Sequence, residues 1–241
     1  MENNNQETRL NKYLAECGVC SRRDADILIQ KGHVLINGKV AQMGIKVKPS
    51  DTIICNGKTL GKKDEKVVLA YYKPLGITCT EKDKFADKTL KDAFDYKVRV
   101  TYAGRLDKDS EGLLLMTNDG DLIHKLMKGS NNHEKEYMVK VTKELPQDFK
   151  EKMEAGIFIK ELKQKTRPCE VEVLGKFTFR IVITQGLNRQ IRRMCEALEL
   201  RVNVLQRVRV ANIKLGKLRP GTFRRITGDE LEELYSCVEG D

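Results

Sequence analysis

From Val67 onward the chain is a succession of short apolar runs with strand character. VVLAYY (67–72), LLLMT (113–117), EYMVKV (136–141), CEVEVL (169–174), FTFRIVIT (177–184) and VNVLQRVRVANIKL (202–215) either alternate apolar with polar residues or run apolar for a few residues. Helical patterns fall between them, around 89–95, 121–128, 146–155, 188–199 and 228–238. Strands dominate and their connections vary in length. A βαβ repeat would alternate the two evenly. The pattern therefore selects an α+β domain, with a largely antiparallel mixed sheet flanked by helices. With 241 residues, 40% of them hydrophobic, the chain has material for a sizeable core and for one or two domains.

The segment before Val67 follows another pattern. RLNKYLAEC places Leu10, Tyr13 and Leu14 at helical spacing and is stopped by Gly18. SRRDADILIQKG opens on Ser21 and Asp24, a capping box, carries Ala25, Ile27 and Leu28 on one side, and ends at Gly32. HVLINGKVA reads as two short strands around Asn37-Gly38. Arg9, Lys12, Arg22 and Arg23 sit on or at the ends of the two helices. The run RLNKYLAECGVCSRRDADILIQKGHVLINGK resembles the S4-like RNA-binding module. The resemblance implies that the helix pair presents basic side chains, Arg22 and Arg23 among them, to structured RNA. NGKTLGKKDEK (56–66) is rich in Lys and Gly, lacks apolar periodicity and reads as a linker. The expected domains are 1–60 and 67–241, with 61–66 joining them.

Charge narrows the partners. The whole chain carries +10, yet residues 161–225 alone hold 16 Lys and Arg against 5 Asp and Glu, or +11. A generally solvated basic surface would spread the excess. Concentration in one segment favours a binding face for an acidic partner, most often nucleic acid. The 7 cysteines are odd in number and irregular in spacing, which argues against a disulfide framework. Cys17 and Cys20 form a single CxxC without the second ligand pair of a zinc site, and the 3 histidines form no paired motif. No apolar run approaches the roughly 20 residues that span a bilayer. MENNNQET lacks the hydrophobic segment of a signal peptide, so a cytoplasmic location is the default.

Against this basic background, GRLDKDSEGLLLMTNDG (104–120) crowds Asp107, Asp109 and Glu111 into one glycine-bounded loop. The spacing imitates the start of a calcium-binding EF-hand loop. It fails at the twelfth position, where Asn118 replaces the bidentate Glu, and LLLMT reads as strand rather than exiting helix. No GK[ST] follows, so a phosphate-cradling loop is a poor fit. A polar hairpin between strands is the plainest reading of the composition. The stretch as a whole resembles the signature of pseudouridine synthases, in the branch that modifies ribosomal RNA stem-loops. By that resemblance Asp107 is the catalytic aspartate, Arg105 contacts substrate, and Asp109 and Glu111 are neighbours of lesser consequence.

Further motifs agree with it. QGLNRQIRRMCEAL (185–198) reads as a turn, an Asn188 N-cap and a helix, with Arg189, Arg192 and Arg193 on one face opposite Ile191, Met194 and Leu198. Within the family pattern Arg192 pairs with the catalytic aspartate, leaving Arg189 and Arg193 for phosphate. A planar guanidinium suits that task, because it holds a carboxylate bidentately and keeps it ionised. HEKEYMVKV alternates so that Tyr137 shares a face with Val139 and Val141, the position of a core aromatic. In the family, the tyrosine of a KEY-type motif stacks on the target uracil, and Lys135-Glu136-Tyr137 fits it. VLQRVRV supplies Leu205 as the apolar pocket residue, although a strand leucine is ordinarily core. KPLG (73–76) recurs near the start of the catalytic domain.

The resemblance runs from about Arg9 to Tyr235 and lies nearest the large-subunit RluF type, with the RluB type and the small-subunit RsuA type sharing the core motifs. It implies an isomerase that converts a uridine in a ribosomal RNA stem-loop, of 23S RNA, to pseudouridine, as a monomer and without metal or cofactor. The same reaction on small-subunit RNA or transfer RNA is the near alternative. A non-catalytic ribosome-assembly factor is the more distant one, since a pure RNA binder gains nothing from an aspartate in a basic cleft. A metal-dependent nuclease would want a second acidic cluster.

Overall fold

The computed structural model describes residues 7–61, 63–80, 87–128 and 132–239. The chain divides into two compact units, one of residues up to Lys66 with Lys97–Arg99, the other of Val67–Tyr96 and Val100–Asp241. The first begins with β1 (Thr8–Arg9), α1 (Leu10–Glu16) and α2 (Arg22–Gln30). Leu10 and Leu14, one turn apart, bury the inner face of α1, and Gly18 (φ 71°) ends it in the left-handed conformation that glycine adopts without strain. Ser21 caps α2 as expected. The Asp24 amide donates to Ser21 Oγ at 3.1 Å, and the Ser21 hydroxyl donates to the Asp24 carboxylate at 2.8 Å. Ala25 and Ile29 face the core, whereas Ile27 is 48% exposed. The apolar stripe is thus rotated from the expected one, because Ile29, one turn after Ala25, completes the buried side.

The helices are followed by β2 (Val34–Ile36), β3 (Lys39–Val40), β4 (Lys46–Val47), which pairs with β1, and β5 (Ile53–Cys55). Asn37 and Gly38 (φ 48° and 80°) turn β2 into β3 as expected. The linker reading is corrected at its start. Asn56 and Gly57 (φ 49° and 77°) make an equivalent turn into β6 (Lys58–Thr59), which pairs with β5. Residues 56–59 are therefore a hairpin of the first unit. Of the remaining linker residues, Lys62 lies outside the described residues.

The second unit runs β7 (Val68–Lys73), α3 (Leu90–Ala93), β8 (Thr101–Ala103), β9 (Glu111–Thr117), α4 (Gly120–Met127), β10 (Lys135–Val141), α5 (Phe149–Glu154), β11 (Phe158–Ile159), β12 (Gln164–Lys165), β13 (Glu170–Gly175), β14 (Thr178–Ile183), α6 (Gln190–Glu196), β15 (Val202–Val210), β16 (Ile213–Lys214), β17 (Phe223–Arg225) and α7 (Gly228–Glu239). Its main sheet has the order β13-β14-β10-β15-β9-β7-β17, with β16 on β15 and β8 on β9. Every neighbouring pair is antiparallel except β9 and β15. The α+β class and the largely antiparallel mixed sheet are as the sequence pattern requires.

Both faces of the central strands are covered. Leu69, Tyr71, Leu114 and Met116 join one core with Phe149, Met153, Ile191 and Met194 of α5 and α6. Val68, Ala70, Tyr72, Leu113 and Leu115 join the other with Leu122, Leu126, Leu234 and Val238 of α4 and α7. That is why VVLAYY and LLLM are continuous apolar runs rather than alternating ones. Each fully buried side chain of this size contributes about 1.5–3 kcal/mol.

One seam in this sheet matters for function. β9 lies along β7 on one edge, while its other edge is shared: β8 takes Leu115–Thr117, and β15 takes only Glu111 and Gly112. Gly112 (φ 105°) faces Arg207 so closely that a Cβ would sit 2.3 Å from the Arg207 carbonyl oxygen. Only glycine permits this approach. The Tyr72 hydroxyl closes the seam by donating to Glu111 (3.0 Å) and accepting from Gln206 (2.7 Å). The loop 104–110 leaves β8 and enters β9 at this point. Among the described residues no helix is long and apolar enough to cross a membrane.

Candidate active site

Asp107 stands in the loop between β8 and β9. The loop is anchored by buried Leu106 and Ser110, and the Ser110 amide donates to the Asp107 carbonyl at 3.1 Å. The turn after β7 holds it from beside, where the Gly76 amide donates to the Lys108 carbonyl at 2.9 Å. That turn is fixed in its own right. Lys73 is wholly buried and donates to the carbonyls of Pro74 and Ile77, both at 2.9 Å. Burial lowers its ammonium below the ordinary lysine value, against the opposing pull of Cys79, Asp107 and Asp109.

Asp107 opens onto a cavity of about 450 Å³. Of the residues singled out in the sequence, Arg105, Asp107, Tyr137, Arg189 and Leu205 all line it. Ile123, Met127, Ile183, Leu187 and Ile191 supply apolar walls. Tyr137, 8% exposed, belongs to the core and to the cavity wall at once, so the two readings of its strand position are compatible. Leu205 shares that double placement.

The arginines depart from expectation. α6 starts at Gln190, and its N-cap is Arg189 in the left-handed conformation (φ 51°), not Asn188. Arg192 is turned inward, 7% exposed, rather than sharing a solvated face with Arg189 and Arg193. Its partner is Asp109, not Asp107. Arg192 Nε lies 3.3 Å from the Asp109 carboxylate, and Nη2 donates to the Asp109 carbonyl. Arg189 grips the same carboxylate through both terminal nitrogens, at 3.1 and 3.0 Å, and reaches Asp107 at 3.7 Å. Partial burial pushes the Asp109 carboxyl up, but the hydrogen bonds from Arg189 and the charge of Arg192 outweigh it and hold the group below the usual carboxylate range. Asp109 thus has a larger part than its motif position implies. Arg193 donates to Asn188 Oδ1 at 3.1 Å and is not a wall of the cavity. Arg22 and Arg23 stand exposed at the start of α2 in the first unit.

Two charged cavity residues escaped the sequence reading. Lys135 donates to the His133 carbonyl at 3.0 Å, and burial, with the Arg207 charge behind it, lowers its ammonium to about 8. Arg207, 2% exposed, donates from Nε to the Leu113 carbonyl at 2.7 Å, bridging the seam by side chain where Gly112 admits its backbone. Lys135 enters the sequence analysis only as part of the KEY tripeptide, and Arg207 only as part of VLQRVRV. The usable signal was the KEY tripeptide for Lys135. For Arg207 it was Gly112, since a glycine inside a strand marks close approach by another backbone. Among the described residues no group of three or more His, Cys, Asp or Glu is placed to hold a metal ion.

Comparison with known proteins agrees with this geometry. Residues 67–197 match the family model described as RNA pseudouridylate synthase, and residues 8–53 match the S4 domain. The chain is 44% identical over 233 residues to the dual-specificity RNA pseudouridine synthase RluF of Escherichia coli (strain K12), covering 96% of this chain and 79% of that one. It is 38% identical over 239 residues to the ribosomal large subunit pseudouridine synthase B of Bacillus subtilis (strain 168), covering 96% and 97%. A crystal structure of a pseudouridylate synthase superimposes with a TM-score of 0.69 at 29% identity, over 94% of this chain and 99% of that one. With a synthase signature over more than half its length and relatives matched nearly end to end, the chain belongs to the RNA pseudouridine synthases, in the group that carries an N-terminal S4 domain.

Proposed function

We propose that this synthase converts one uridine of a ribosomal RNA stem-loop, in the 23S RNA of the large subunit, to pseudouridine, with Asp107 as the catalytic carboxylate and no cofactor. The observation that carries the reading is the convergence of Asp107, Tyr137 and Leu205, from three separate stretches of sequence, on one cavity. In the reaction the N1–C1′ bond breaks, the uracil turns, and C5 bonds to C1′. Nothing is oxidised and no water is consumed. A carboxylate serves either by attacking covalently or by removing a sugar proton. The apolar walls keep water from the detached base. Flipping the nucleotide costs a few kcal/mol, and stacking on the Tyr137 ring returns about 1–3. Arg192 acts at one remove in the free protein: it holds Asp109, Asp109 holds Arg189, and Arg189 reaches Asp107.

The large-subunit target is favoured by the Bacillus relative, whose name assigns it to that subunit. A second substrate, a transfer RNA stem-loop, is favoured by the dual specificity named for the Escherichia relative. The test is to incubate the protein with 23S, 16S and transfer RNA transcripts and map pseudouridine by chemical probing. Product at one site of 23S RNA is expected, with none from Asp107→Asn although that variant still binds. Product only in 16S or transfer RNA would overturn the target. Undiminished turnover by Asp107→Asn would overturn the catalytic assignment.

A further inference from the structure

Arg189 is a wall common to two hollows. Beside the cavity it helps to enclose a second depression of about 480 Å³, shared with Arg192 and Arg201. Thr142 and Asn203 add neutral polar groups, Asp109 and Glu196 add carboxylates, and Val202 is the apolar member. Three guanidinium groups against two carboxylates leave one positive charge over. The arginines are not equivalent. Arg189 and Arg192 both lean on Asp109, and Arg192 Nε is buried without a hydrogen bond. Arg201 has an exposed guanidinium with no hydrogen bond or ion pair to any described residue, while its backbone is fixed by the Thr142 amide at 3.0 Å.

We propose that this depression is a phosphodiester site, taking one backbone phosphate of the RNA strand next to the nucleotide held in the catalytic cavity. The inference rests on the RNA substrate proposed above. The depression has no aromatic wall for a base to stack on, and a phosphate neutralises the one surplus charge. A planar guanidinium matches two phosphate oxygens at once. Arg201 is the free donor that meets the phosphate, and Arg189 ties the site to the cavity. Asp109 is the resident anion, a carboxylate lying where the two inner arginines would otherwise face solvent uncompensated.

The test uses the full chain and stem-loop RNAs that each carry one neutral methylphosphonate near the target uridine. Binding isotherms are taken between 50 and 200 mM salt for wild type and Arg201→Ala. At one position the methylphosphonate should weaken wild-type binding by the factor that Arg201→Ala does, and combining the two should weaken it no further. The slope of log affinity against log salt should be shallower by about 0.7 in the variant, so that wild type loses about 2.6-fold more affinity over a fourfold rise in salt. The melting temperature should stay put, because Arg201 is an exposed side chain. An unchanged slope, or losses that multiply at every position, would overturn the site. Product formation on the unmodified stem-loop reads the substrate assignment separately from these isotherms.

Discussion

Asp109 and Lys135 are two side chains whose effects can be separated by experiment. Asp109→Ala releases Arg189 and Arg192 together; water screens the exposed Arg189 pair to about 0.2–1 kcal/mol, so the larger loss falls on the buried Arg192. Single-turnover rates should fall by about tenfold or more. An Asp109→Ala variant that turns over at the wild-type rate would show that the arginines need no anchor. Because the Asp109 carboxyl is held low, its contribution to stability is present above the ordinary carboxylate pKa and is lost as pH falls through the lowered value. Lys135 has the opposite sign. Its ammonium, lowered to about 8 by burial, destabilises the fold at neutral pH. Between pH 8 and its unfolded value near 10.5 the folded chain has released the proton that the unfolded chain keeps, so stability rises with pH there. Lys135→Met should therefore stabilise the protein at pH 7 by about 1–3 kcal/mol, with the gain shrinking toward pH 10.5. Urea unfolding at pH 7, 9 and 10.5 reads it, and a gain constant with pH would refute the assignment. Neither role was legible in the sequence. The motif placed Asp109 beside Asp107 and Lys135 beside Tyr137, but which charges surround each is set only by the fold.

At the level of elements, length decided what could be read. The strands of six to nine residues follow their apolar runs with ends displaced by a residue or two, except that VNVLQRVRVANIKL (202–215), read as one strand, is two, β15 and β16, turned back at Ala211 (φ 49°). β8, β11, β12 and β17 have only two or three residues, too few to establish a period, and all were missed. β6 was hidden by its Lys- and Gly-rich surroundings, although Asn56-Gly57 is the same turn signal as Asn37-Gly38. The helix carrying Arg192 was recognised, but its face was not. Projecting residues 189, 192 and 193 onto one wheel assumes that all three are helical. Arg189 is a left-handed cap, and the helix after it packs on both sides, so Arg192 is buried with Ile191 and Cys195. The seam offers the sharpest test at this scale. Gly112→Ala sets a Cβ against the Arg207 carbonyl in a conformation that L-residues rarely adopt. It should cost about 3 kcal/mol or more, measured from the shift in denaturant midpoint. A cost below 1 kcal/mol would mean that β9 and β15 can part without penalty.

For the whole molecule, the change of pattern at Val67 coincides with the boundary between the compact units, and the basic excess of residues 161–225 includes Arg189 and Arg207 of the cavity and Arg192 and Arg201 of the neighbouring depression, though not Arg105. Composition was informative here because charge placement relative to the chain survives folding, whereas charge placement relative to a cavity does not. Each unit has a core drawn from its own residues. Removing residues 1–66 should leave a folded synthase unit that binds its stem-loop much more weakly and turns it over little. A truncated chain with full affinity and activity would refute a positioning role for the S4 domain. The parallel join of β9 to β15 has a consequence for the time course of folding. Its two residue pairs, Gln206 with Glu111 and Arg207 with Gly112, link positions about 95 apart in the chain. Closing a loop of that length is rewarded here by only two residue pairs. The flanking strands pair first and the join forms late. The cavity takes Asp107 from one side of the join and Tyr137 and Leu205 from the other, so it exists only afterwards. A refolding chain should recover affinity for RNA before it recovers turnover, and a chain still emerging from synthesis can hold its substrate without yet being able to change it.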